Sequence, residues 1–131
     1  VQYRAIKAGA DFVTPEGEVM PNHRLTTDPT PPKRFAYMSD TAYTEKHLEL
    51  IHRVDCLYHE STFLKEDAAR IKATLHSSAA QAATLAKKAE VKQLIIGHYS
   101  ARYDDRRVFL DEAKAIFPNT QAVFDGANYF F

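Results

Sequence analysis

The residues able to do chemistry in this chain sit at the ends of short apolar runs. Asp40 follows one such run, His59 and Glu60 follow the next, and His98 follows a third, while His76 stands just before a helix-forming segment. Asp and His together suit a borderline cation such as zinc, the carboxylate being able to bridge two ions. A zinc site needs three or four protein ligands, and Asp40 and His98 supply two. His76, placed before a helix N-terminus, has the surroundings that favour an anion such as phosphate. Held by a carboxylate such as Glu60, an imidazole can donate a proton to a leaving oxygen. The same pair serves equally well as a structural hydrogen bond, and the residue types alone leave both roles open. His23, His47 and His52 have no partner at ligand spacing and are set aside.

The segment Tyr99-Ser100-Ala101-Arg102-Tyr103 places a hydroxyl, a guanidinium and two aromatic rings directly after His98. Arg102 could bind phosphate with two N–H groups, and tyrosines can stack on a base; a plain surface loop is the alternative. Arg106-Arg107, after two aspartates, reads as the solvated face of a helix.

To bring these groups together the chain needs a sheet of parallel strands, because sites in open α/β sheets form at the carboxyl ends of the strands. Strands are expected over 34–38, 54–58, 92–96 and 121–124, with helices over 44–53, 65–75, 78–89 and from Asp104 or Asp105 to Phe117. Ser78 and Gln81 have capping-box spacing, and Ala79, Ala82, Ala83 and Ala86 form a narrow stripe suited to close packing on a sheet. Residues 1–33 differ: Pro15-Glu16-Gly17 reads as a turn between two short strands, and Pro21, Pro29, Pro31 and Pro32 prevent a sustained helix. The expected division is a hairpin and loop segment over 1–33 and a β-α segment over 34–131.

Seventeen basic residues balance seventeen acidic ones, so any nucleic-acid contact must come from a local patch. Cys56 is alone and cannot close an intrachain disulfide, and no apolar run approaches the roughly 18 residues of a membrane span, which together point to a reducing, cytoplasmic setting.

Four motifs carry a resemblance: Ser39-Asp40-Thr41, His59-Glu60-Ser61-Thr62-Phe63, His76-Ser77-Ser78-Ala79 and Gly97-His98-Tyr99-Ser100-Ala101-Arg102-Tyr103. In this order and spacing they resemble the C-terminal half of the ribonuclease Z family, zinc-dependent endoribonucleases that remove the 3′ trailer of precursor tRNA. The likeness extends from about Tyr3 to Gly126. It implies an α/β fold, the C-terminal half of a metallo-β-lactamase αββα sandwich. It further implies Asp40 as a metal-bridging carboxylate, His98 as a ligand of one of two zinc ions, His76 with Glu60 as proton donor, and Arg102 and Ser100 as substrate-binding. Ser39, Ser61 and Ser78 stand where the family usually has Gly, Ala and Thr, and none of these departures removes a functional group. The family's His-x-His-x-Asp-His motif is absent, since no His-x-His occurs in the chain. The chain alone is therefore expected to be inactive, and half of such a fold should leave an apolar sheet face that seeks the missing half or a second copy as a homodimer. Another hydrolase of the same fold, or a non-catalytic module that binds RNA or itself, are the rival readings.

Overall fold

The structure, a computed structural model, describes Gln2–Phe131. It divides into two compact units, one ending at Pro32 and the other running from Lys33 to Phe131. The first holds a short helix α1 (Gln2–Lys7) and an antiparallel hairpin of β1 (Phe12–Val13) and β2 (Val19–Met20), followed by a 3-10 turn at Asn22–Arg24. Gly17 turns the hairpin at φ +89, a conformation that glycine adopts without steric cost. The Asn22 side chain ties helix to hairpin by donating to the Ile6 and Ala10 carbonyls at 2.6 and 2.9 Å. The helix departs from the expected hairpin and loop; its residues precede the proline-rich stretch and are free to coil.

The second unit is built on four parallel strands, β3 (Phe35–Met38), β4 (Cys56–Glu60), β5 (Gln93–Gly97) and β6 (Thr120–Ala122), paired in chain order. The connecting helices are α2 (Leu48–Ile51), α3 (Ala68–Thr74), α4 (Ala79–Lys88) and α5 (Arg107–Lys114). Strand pleating puts Leu57, His59, Leu94 and Ile96 on one face of the sheet. There Leu57, Leu94 and Ile96 meet Ala79, Ala82, Ala83 and Ala86 of α4 and Phe109 and Ala113 of α5 in one buried core. The alanines have no side chain to hold the helix away, so α4 lies close against β4 and β5. Its start is fixed by the expected capping box: Ser78 Oγ accepts the Gln81 N–H at 3.2 Å, and Gln81 Oε1 accepts the Ser78 N–H at 3.0 Å.

On the opposite face Phe35 and Tyr37 are 51% and 65% exposed, their rings stacked on Phe131 and Tyr58 respectively. Helices α2, α3 and α5 are shorter than expected; before α3, Lys65–Asp67 forms a separate 3-10 turn. The segment 44–53 yields only α2, because the Thr44 hydroxyl accepts the Lys46 N–H at 3.3 Å and holds a turn. In α5, Arg106 occupies the cap position while Asp105 accepts the Arg107 N–H at 2.9 Å; beyond Lys114 the chain continues to Phe117 through turn hydrogen bonds onto Ala113. Among the described residues no helix is long and apolar enough to cross a membrane.

Candidate metal centre

Because β3, β4 and β5 run parallel, their carboxyl ends share one edge of the sheet, and the polar residues that end them converge there. Asp40 and His98 are both in left-handed backbone, at φ +48 and +61. His98 Nε2 lies 3.2 Å from Asp40 Oδ1. His76 arrives from the other side, after Leu75 has ended α3 at φ +58. Its ring centroid is 5.3 Å from that of His98. Asp40, His76 and His98 each offer one donor atom, all within 4.8 Å of one another. One carboxylate and two imidazoles fit a divalent cation, so the donor count is three where the sequence alone pointed to two. Left-handed backbone at a residue other than glycine costs about 1–3 kcal/mol; Asp40, Leu75 and His98 adopt it at or beside the cluster, and Arg53 and Glu90 adopt it elsewhere.

Beneath the cluster lies Glu60, whose side chain is fully buried. Its Oε1 accepts the Thr41 N–H at 3.0 Å and faces His76 Nδ1 at 2.8 Å. Its Oε2 accepts the Thr62 N–H at 3.0 Å and the Thr62 hydroxyl at 2.6 Å. Burial pushes the Glu60 carboxyl up, but the hydrogen bonds from Thr62 and His76, joined by main-chain N–H groups, outweigh it and hold the group below the usual carboxylate range. The Thr62 hydroxyl also lies 2.8 Å from His98 Nδ1. Thr62 was not singled out from the sequence, although it falls inside the His59–Phe63 motif.

His59, adjacent to Glu60, is not part of the cluster. One step along a strand reverses the side-chain direction, so His59 points into the helix-covered face while Glu60 faces the site. It is fully buried, with Nδ1 2.6 Å from the Glu60 carbonyl, and burial holds its pKa below the ordinary histidine value. Among the described residues its Nε2 has no hydrogen-bond partner.

Ser100 and Arg102 lie in the loop after His98. The Ser100 N–H donates to the Thr62 carbonyl at 3.0 Å, which ties the loop to the site, and Ser100 Oγ accepts the Arg102 N–H at 3.4 Å. The Arg102 side chain is exposed and has no ion-pair partner among the described residues. A second guanidinium, that of Arg106, also stands near this loop. It lies over the Tyr99 ring at 5.9 Å and lines a hollow of about 330 Å³ shared with Ser39 and His98. Arg106 is exposed and occupies the cap of α5, one residue before the helix begins.

A parallel sheet covered by helices on one face, with carboxylate and histidine donors gathered at its carboxyl edge, defines a class. Residues 22–99 match the model of the beta-lactamase superfamily domain, and the chain belongs to that superfamily. The metallo-beta-lactamase fold protein YhfI from Bacillus subtilis shares its fold, with a TM-score of 0.61 over 67% of this chain and 35% of the other at 20% identity. So does the short form of human tRNase Z, with a TM-score of 0.56 over 71% of this chain and 31% of the other at 23% identity. Within the superfamily the resemblance is to ribonuclease Z, as the motifs implied. The chain is 58% identical over 115 residues to ribonuclease Z of Bacteroides thetaiotaomicron, covering 88% of this chain and 36% of that protein. It is 60% identical over 115 residues to that of Parabacteroides distasonis, covering 88% and 38%. The chain thus spans little more than a third of the curated relatives it matches.

Proposed function

We propose that this chain supplies part of the active site of a zinc-dependent endoribonuclease that removes the 3′ trailer of precursor tRNA. The observation that carries the reading is the convergence of Asp40, His76 and His98 over the buried Glu60. Asp40 and His98 would hold the metal, which when bound supplies Lewis acidity and lowers the pKa of water toward neutrality. Glu60 accepts from His76 Nδ1 and so turns Nε2 toward the site, where the ring can hold a proton for the leaving ribose oxygen. Arg102 and Ser100 would meet substrate phosphate, with Arg106 at the adjoining hollow. The single free, buried Cys56 supports a reducing, cytoplasmic setting.

The two donors Asp40 and His98 do not hold two ions with full coordination, so the chain alone is inactive in this reading. The exposed Phe35 and Tyr37 support a second body on that face, either the rest of the enzyme or a second copy of this chain. The test is to mix the chain with a polypeptide carrying the remaining two thirds of a relative, add Zn2+ and assay precursor tRNA. Cleavage that requires both pieces and the metal, and is lost in His76→Ala, supports the reading. Cleavage by the chain alone, or cleavage indifferent to His76→Ala, would overturn it.

A further inference from the structure

The hydroxyl of Thr62 stands between a buried carboxylate and a histidine of the metal cluster, 2.6 Å from Glu60 Oε2 and 2.8 Å from His98 Nδ1. A hydroxyl has a single proton to donate. Both oxygens of Glu60 are already acceptors of main-chain N–H groups, from Thr41 on one side and Thr62 on the other, so the carboxylate sits in a ring of donors. The Thr62 proton therefore goes to Glu60, and toward His98 the Thr62 oxygen can only accept. His98 must then carry its proton on Nδ1.

We propose that Thr62 is a positioning residue that locks His98 in the Nδ1–H tautomer, leaving the Nε2 lone pair free beside Asp40 as a metal donor. The proposal rests on the reading of His98 as a metal ligand, and extends it by naming what orients that ligand. The oxygen on the far side of Glu60 holds His76 in the same way, by accepting from its Nδ1. One carboxylate thus sets the direction of both imidazoles, the nearer directly and the farther through Thr62. Hydrogen bonds from the second nitrogen of a ligand histidine fix its tautomer and ring orientation in metal sites generally.

The test is nitrogen NMR of the 15N-histidine-labelled, metal-free chain, recorded on the alkaline side of neutrality. His98 is assigned by loss of its signals in His98→Gln. The expected spectrum shows His98 with the proton on Nδ1. In Thr62→Val that signature is lost and the proton moves to Nε2 or exchanges between the two nitrogens. In Thr62→Ser it is retained, because the hydroxyl is retained. An Nε2–H tautomer in the parent chain overturns the proposal, and so does an unchanged Nδ1–H signature in a folded Thr62→Val. Should Thr62→Val not fold, the parent spectrum and its retention or loss in Thr62→Ser still decide. None of these readouts requires cleavage of RNA, so failure of the proposed ribonuclease activity would leave the tautomer result standing.

Discussion

Replacing Glu60 with Gln keeps the size of the side chain and exchanges one oxygen for an NH2 group, which makes the four donors around it a quantitative test. Two of them can adapt: His76 can present an unprotonated Nδ1, and the Thr62 hydroxyl can turn to accept. The other two are the main-chain N–H groups of Thr41 and Thr62, which cannot. If the amide nitrogen replaces Oε1, the Thr41 N–H loses its acceptor; if it replaces Oε2, the Thr62 N–H does. One buried donor is thus orphaned in either rotamer, at about 1–3 kcal/mol, and the surviving bonds lose the roughly 1 kcal/mol by which a charged acceptor exceeds a neutral one. The expected loss is about 2–4 kcal/mol, a large share of the roughly 5–15 kcal/mol that keeps a domain folded. With seven tyrosines and no tryptophan, urea unfolding is best followed by circular dichroism and tyrosine fluorescence. The acid side gives a second reading. A carboxyl held low in the folded state stabilises the fold above its unfolded pKa, and that stability drains away as the pH falls through the folded value. The parent should therefore lose stability below about pH 4.5 more steeply than Glu60→Gln. A loss under about 1 kcal/mol at neutral pH would refute the reasoning, since it would mean the orphaned N–H finds another acceptor.

Gly97→Ala would put a Cβ 2.5 Å from Val123 Cγ2 and 2.7 Å from Tyr58 Oη, so a loss of about 1–3 kcal/mol and displacement of His98 are expected, read by thermal unfolding and by histidine NMR. Leu75→Gly should relieve left-handed backbone at an exposed side chain and raise stability by about 0.5–1 kcal/mol in urea titration, a gain that a lowered midpoint would contradict. His59 is held neutral by burial, its folded pKa lying below its unfolded one. Folding must expel its proton as the pH drops below about 6.5, so the parent should lose stability there by up to about 1.4 kcal/mol per pH unit more than His59→Asn; parallel curves would refute this.

The site was legible where one residue type and one neighbour settle the matter. An apolar run ending in Asp40 or His98 fixes a strand end, and parallel pairing of such strands follows from the helices between them. The Ser78 and Gln81 box was equally plain, since each side chain has one job. What could not be read was direction. His59 and Glu60 are adjacent in a run buried on both faces, and the pattern of Cys56 to Glu60 has no alternation to say which of the two turns toward the site. The role of Thr62 depends on two hydrogen bonds made at once, one to its own strand end and one to a residue 36 positions later. The surroundings of Arg106 were similarly a matter of turn geometry, which brings its guanidinium over the Tyr99 ring.

The chain-order pairing of β3 to β6 has a consequence for synthesis. Leaving a ribosome, each strand emerges next to the one it will pair with, so the sheet can extend from one side without waiting for a later segment to insert. His98 leaves the ribosome last of the donors, roughly 3–12 s after Asp40 at about 5–20 residues per second. Until then a nascent chain holds Asp40 and His76 without the histidine that completes the triangle, so the three-residue cluster forms late, with the arrival of β5.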